Sequence, residues 1–127
     1  QNQATIQQLQ DSKNPNLVLV KQQGNQNFAD IHQQGNHNAV DLRQTGYQNF
    51  HSAKYEGEYL LNTIVQEGHQ NFIQQSLKGS DMDFSIIQHG SGHEVIQIEN
   101  GSGVGYKVTQ TGKDMKIRIE QGHVMVK

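Results

Sequence analysis

Three consecutive stretches decide how this chain folds: Gln22-Gln23-Gly24-Asn25-Gln26-Asn27-Phe28-Ala29-Asp30-Ile31-His32, Gln33-Gln34-Gly35-Asn36-His37-Asn38-Ala39-Val40-Asp41-Leu42-Arg43 and Gln44-Thr45-Gly46-Tyr47-Gln48-Asn49-Phe50. In each, a Gln stands two residues before a Gly and an Asn stands three after it. The glycine phase continues without a break at a spacing of eleven: Gly24, Gly35, Gly46, Gly57, Gly68, Gly79, Gly90, Gly101 and Gly112. Gln22, Gln33, Gln44, Gln66, Gln88 and Gln110 hold the Gln slot, and Tyr55, Leu77 and Glu99 replace it. An upstream copy without the glycine runs from Asp11 to Val20, with Asn16 in the Asn slot. A fixed short period marks a repeat architecture, in which each unit buries its apolar face only by stacking on its neighbours.

Within a unit the residues alternate. Asn38, Val40, Leu42 and Gln44 take one parity, and Ala39, Asp41 and Arg43 the other. The same split separates Met82, Phe84, Ile86 and Gln88 from Asp83, Ser85 and Ile87, and Met115, Ile117, Ile119 and Gln121 from Lys116, Arg118 and Glu120. A period of two predicts a half-buried strand, here of about seven residues. The glycine opens a tight arc that ends at the next Asn, because glycine accepts the positive φ such an arc needs. A second period of 22 sets the stacking. Gln22, Gln44, Gln66, Gln88 and Gln110 form one column, Val20, Leu42, Ile64, Ile86 and Val108 another, and Phe28, Phe50 and Phe72 a third on the outward parity. The chain is therefore expected to be all-β, a β-solenoid of two facing parallel sheets with 22-residue, two-strand rungs and a cross-β core. Residues 1–15 read as an N-terminal segment or partial first rung, and 16–127 as the solenoid.

Composition fits this reading. The chain has 127 residues, 32% of them hydrophobic, and a formal net charge of -2. Its 20 Gln and 11 Asn make a quarter of it side-chain amide, while apolar content is well below the ~45–50% of ordinary domains. The lack of cysteine excludes disulfides and cysteine-bound zinc. No apolar run approaches the ~20 residues of a membrane helix, and a near-neutral charge argues against nucleic acid as partner.

In a parallel stack, like residues recur every ~4.8 Å. One side-chain amide then donates to the carbonyl of the next, so buried amides are satisfied rather than costly. The expected core ladders are Gln22, Gln44, Gln66, Gln88 and Gln110; Gln33 and Gln121; Asn27, Asn49 and Asn71; and Asn16 and Asn38. The expected apolar core includes Val20, Leu42, Ile64, Ile86, Val108, Ile31, Ile73, Phe84, Ile117 and Ile119. Gln23, Gln34, Gln26, Gln48 and Gln70 are expected on the arc surface.

The units resemble curlin repeats, the Gln-x-Gly-x-x-Asn-x-(small)-x-x-x-Gln pattern of bacterial curli subunits. Gln22, Gly24, Asn27, Ala29 and Gln33 fill every slot, and Gln33, Gly35, Asn38, Val40 and Gln44 do so with Val in the small position. The resemblance covers roughly residues 16 to 121. It implies a secreted subunit at the bacterial cell surface that polymerises into extracellular amyloid fibres of the biofilm matrix. It also implies self as the main partner, with a second curlin subunit and outer-membrane secretion machinery besides. Leu60, Met82, Val104, His93 and Met115 replace the Asn. Such departures leave major subunit and nucleator both open. No signal peptide pattern is present, so the sequence reads as a processed, mature chain.

Edge strands at the two ends are expected to be open, with residues 16–33 and 115–126 as the joining surfaces. The stretch from 99 to 105, with an inward Glu99 and three glycines, is expected to fray. His51 and His93 fall on inward columns, where protonation would destabilise the stack. His89 and His93 are too close to the glycine arc to favour a metal site. The Phe28, Phe50 and Phe72 stripe is either a stacked ladder or a contact surface for fibres or adhesion. No nucleophile motif or paired carboxylates appear, so no enzyme, cofactor or metal is expected. The alternative is a monomeric surface-, carbohydrate- or ice-binding β-solenoid, although the outward row Asp41, Thr63, Ser85 and Lys107 lacks the threonines of an ice binder.

Overall fold

A computed structural model describes residues 2–9, 16–103, 105–120 and 123–126. Gln121 of the expected ladder lies outside the described residues. The chain forms β1 (Gln3–Leu9), β2 (Leu17–Asn25), β3 (Phe28–Asn36), β4 (Ala39–Tyr47), β5 (Phe50–His69), β6 (Phe72–Ser91), β7 (Glu94–Ser102), β8 (Gly105–Lys113), β9 (Lys116–Glu120) and β10 (His123–Val126). It is an all-β solenoid with 22-residue rungs. Leu17 pairs with Ala39, Ala39 with Leu61, Leu61 with Asp83 and Asp83 with Gly105, all in parallel register. On the facing sheet Phe28 pairs with Phe50, Phe50 with Phe72, Phe72 with Glu94 and Glu94 with Lys116.

The strands are longer than the period of two suggests. β2, β3, β4, β7 and β8 have nine residues each, because rung-to-rung pairing continues through the glycine and the residue after it. β5 and β6 run on for 20 residues, through one corner, and give a segment to each sheet. The bend comes after the glycine, at left-handed residues such as Gln26, His37, Gln48 and Tyr59. Backbone bonds tie even these corners together, as in Gln48 N to Asn25 O (3.1 Å) and Gln70 N to Tyr47 O (3.2 Å).

Two features at the ends were not in the repeat. β1 pairs with β3 by placing Gln3 on Phe28, an offset of 25 rather than 22, so the link between β1 and β2 carries extra residues. β10 turns back and pairs antiparallel with β9, His123 against Glu120. Of the joining surfaces expected at 16–33 and 115–126, β2 and β10 keep an open edge and β3 and β9 do not. β3 is covered by β1 and β9 by β10. Among the described residues the edges without a strand partner belong to β1, β2, β8 and β10. The fraying expected near Glu99 is not seen among the described residues: β7 stays paired with β6 to Ser102 and β8 begins at Gly105, with residue 104 outside the described residues.

The core is built from several inward columns of both sheets. Leu42, Ile64 and Ile86 are fully buried, as are Ile31, Ile73 and Ile119, and Phe84 is nearly so. Each such burial is worth about 1.5–3 kcal/mol. Val20 and Val108, at the ends of the aliphatic column, are only partly buried, as is Ile117. The repeat also brings in Tyr55, Leu60, Leu77 and Met82, substitutes for Gln or Asn that are at most 2% exposed.

The glycine column has a steric cause that changes along the stack. At Gly46 (φ +116°) an added Cβ would lie 1.9 Å from the carbonyl oxygen of Gly68 in the next rung. At Gly112 (φ +109°) it would meet nothing within 4 Å, because among the described residues no strand pairs with β8 on that side. Left-handed backbone costs an alanine ~1–2 kcal/mol, and overpacking adds ~1–3 kcal/mol. Gly46→Ala is therefore expected to lower stability by about 2–5 kcal/mol and Gly112→Ala by only about 1–2 kcal/mol, read by denaturant titration of the two variants. Equal losses would contradict the stacking argument.

Candidate functional site: amide ladders and rung ends

The C-terminal inward position of each strand in the β2, β4, β8 sheet carries a Gln. Gln22 Nε2 donates to Gln44 Oε1 (2.7 Å), Gln44 to Gln66 (2.8 Å), Gln66 to Gln88 (3.0 Å) and Gln88 to Gln110 (2.8 Å). The Nε2 groups of Gln44, Gln66, Gln88 and Gln110 also reach across to the facing sheet, at Phe28 O, Phe50 O, Phe72 O and Glu94 O, as Gln22 does at Gln3 O. Each Gln thus holds its rung to the next and one sheet to the other. Gln44, Gln66, Gln88 and Gln110 are fully buried, and Gln22, at the open end, is half-buried. All donors point toward β8, which gives the ladder a direction.

The Asn column works on the backbone. Asn27 Oδ1 accepts from Asn49 N (3.2 Å), and Asn27 Nδ2 donates to Gly46 O in the next rung (3.2 Å) and Gln23 O in its own (3.0 Å). Asn49 and Asn71 repeat the pattern on Gly68 and Gly90, and Asn38 on Gly57. Asn16 donates to Gly35 O (3.2 Å) and accepts from Asn38 N (3.1 Å). His93 stands in for an Asn: Nδ1 accepts from Met115 N (3.3 Å) and Nε2 donates to His89 O (2.8 Å). That network assigns the Nε2–H tautomer.

On the other inward columns the amides do something the repeat does not announce. Gln75 Oε1 accepts from His51 Nε2 (2.9 Å), Tyr55 Oη (2.7 Å) and Asn62 Nδ2 (2.7 Å), while Asn62 also donates to Tyr55 Oη. Gln75 Nε2 continues to Gln97 Oε1 (2.7 Å), Gln97 Nε2 to Tyr106 Oη (2.7 Å), and Tyr106 Oη to Glu99 Oε1 (2.6 Å). Glu99, 3% exposed, is accommodated by this phenol. Burial pushes both phenols well above the usual range, with the Glu99 hydrogen bond adding at Tyr106. Gln33 is buried at 2% exposure on the column that continues with Tyr55, Leu77 and Glu99.

The outward face carries Phe28, Phe50 and Phe72, half-buried and stacked with ring centroids 4.9 Å apart. Corner residues stack as well, His37 on Tyr59 and Tyr47 on His69. Gln26, Gln48 and Gln70 form an exposed corner ladder whose donors run the opposite way, Gln48 to Gln26 and Gln70 to Gln48. Outward histidines pair with carboxylates, His32 with Asp30 (3.2 Å) and His89 with Glu67 (3.5 Å). Among the described residues no group of three His, Cys, Asp or Glu is placed to hold a metal. No helix among them is long and apolar enough to cross a membrane.

This arrangement is a ladder that repeats along one axis, with polar atoms satisfied by the neighbouring rung. A family model for the curlin associated repeat matches residues 14–46. No curated protein and no solved structure matches the chain. Over part of its length the chain is therefore a curlin-repeat-like β-solenoid.

Two outcomes follow. Removing a middle amide strands two partners, whereas removing an end amide strands one, at ~1–3 kcal/mol for each unpaired buried group. Gln66→Leu is expected to cost about 2–6 kcal/mol and Gln22→Leu about half as much, measured by denaturant titration. The second concerns His51. Its ring is fully buried, its Nδ1 has no hydrogen-bond partner, and burial lowers its pKa from 6.5 to about 4, against a smaller raising effect from Gln75. The folded value lies below the unfolded one, so its contribution is complete above pH 6.5 and is lost as the pH falls toward 4. The loss is about 3 kcal/mol. His51→Ile, matching Ile73 of the same column, is expected to flatten the stability profile between pH 7 and 4, and an unchanged profile would contradict the assignment.

Proposed function

We propose that this chain is a structural subunit of an extracellular, curli-like functional-amyloid fibre of a bacterial biofilm matrix, and that it polymerises end to end by β-strand addition. The observation that carries the reading is the laddered stack with unpaired strand edges at both ends. The edges of β1 and β2 at one end and β8 at the other lack partners among the described residues, and Ile6 there is 46% exposed while Val18, Val20, Tyr106 and Val108 are only partly buried. Natural monomers usually blunt such edges, and an open edge is the template for β-augmentation. The family match over residues 14–46 supports the same reading. Secretion to the cell surface, a second curlin subunit as nucleator or bulk partner, and outer-membrane secretion machinery are parts of the proposal. Catalysis is not.

The test is direct. Purified chain, incubated at micromolar concentration and neutral pH, is expected to give unbranched fibres by negative-stain microscopy, a thioflavin signal and a meridional diffraction spacing of ~4.8 Å. Stable monomers under these conditions would overturn the proposal and favour a monomeric binding solenoid.

A further inference from the structure

The parallel strands divide unequally between the two sheets. One sheet holds β1, β3, the first part of β5, the first part of β6, β7 and β9, and the other holds β2, β4, the second parts of β5 and β6, and β8. The first sheet has one strand more, so the parallel stack begins and ends on the same sheet. This restricts how a second copy continues it. Set on the end without rotation, an incoming copy would place its β1 over β9. Its β2 would then lie a layer too high to meet β8, leaving one empty layer and an unpaired edge. Turned by half a revolution about the stacking axis, the incoming copy places β1 over β8 and β2 over β9. Every layer is then filled, and strand directions are preserved because the two sheets run in opposite senses.

The residues brought into register fit this seat. With the pairing that β1 makes to β3, where Gln3 meets Phe28, the equivalent place for Gln3 on β8 is Gly105. Ile6 of the incoming copy then stands on Val108, and Gln8 is in register with Gln110, the last acceptor of the ladder. Ile6 is 46% exposed, whereas Ile31 beneath it is 0% exposed, so it has one covered side and one bare side. Over β9, Val18 and Val20 stand on Ile117 and Ile119, and Lys21 on Glu120. Lys21 has no ion-pair partner among the described residues.

One element obstructs the seat. β10 lies antiparallel along β9, on the edge that the incoming β2 must take. An antiparallel strand does not extend the 22-residue register. We infer that copies of this chain join through a half-turn, with β1 of one on β8 of the next and β2 on β9, and that β10 guards the growing end and leaves β9 when a copy adds. This inference rests on the fibre reading above and adds to it the symmetry of the joint and its regulation.

The absence of cysteine makes the joint readable by cross-linking. Adjacent parallel strands hold facing Cα atoms ~4.8 Å apart, within disulfide reach. Thr5, Lys107 and Arg118 are exposed and outward-facing. Fibres grown from mixed Thr5→Cys and Lys107→Cys copies are expected to give disulfide dimers on oxidation, and Thr5→Cys with Arg118→Cys to give none. The reverse pattern, or no dimers in either mixture, overturns the half-turn. Where Thr5→Cys slows growth, Leu19→Cys reads the same seat, with dimers expected to Arg118→Cys and not to Lys107→Cys. Helical symmetry of unmodified fibres is a check free of substitution. A rotation near a half-turn with a rise of about 26 Å, five and a half layers, is expected, and a whole number of layers without rotation overturns the inference. Deleting residues 123–127 is expected to shorten the lag several-fold, and an unchanged lag removes the guarding role of β10. If the unmodified chain forms no fibres, it is the underlying fibre reading that fails.

Discussion

Layer meets layer at the spacing of a β ladder, ~4.8 Å, and that distance decides what the side chains do. It is short enough for Gln44 Nε2 to reach Gln66 Oε1 and for Asn27 to reach the Gly46 carbonyl. It is also too short for a Cβ in the glycine column ahead of each corner, where one on Gly46 would be driven into Gly68. Amides inside and glycines at the corners are thus two results of one constraint. A 22-residue rung is what remains when both sheets must return each residue type to its own column.

The same constraint makes polar atoms affordable in a chain with few hydrophobic residues. An isolated buried amide costs ~1–3 kcal/mol, but a column of them is unsatisfied only at its ends. The central network of His51, Asn62, Gln75, Gln97, Tyr106 and Glu99 meets the requirement differently, by bonds that cross between sheets. It holds one group that tolerates no proton, His51, whose buried Nδ1 has no acceptor to offer an imidazolium. Stability is therefore coupled to pH through the middle of the stack, while the open strand edges lie at its ends.

Much of the fold is legible in the sequence because the period is strict. The unbroken glycine phase and the Gln22, Gln44, Gln66, Gln88, Gln110 column repeat at 22 for the reason that they stack at 22. The strand ends were less legible, since the ladder continues through Gly24 and Asn25 where glycine reads as a turn. The central network left little signal. Only its Gln75–Gln97 link follows the period of 22; the other partners lie 24, 20, 13, 9 and 7 residues apart, and most sit in columns whose other members are largely apolar. Glu99 looked like a site of fraying for that reason, and its partner Tyr106 is visible only once the sheets face each other. β1 and β10 break the period by an offset and by a reversal of direction, so no column could place them.

The account stands on the side-chain ladder linking residues 22 apart. Solid-state NMR on fully assembled, Gln-labelled protein measures it most directly. The account predicts through-space correlations from Gln66 Nε2 to the side-chain carbonyl carbon of Gln88, and from Gln44 Nε2 to that of Gln66, at hydrogen-bonding distance. Correlations at another separation, or side-chain amides in exchange with water throughout, would contradict it.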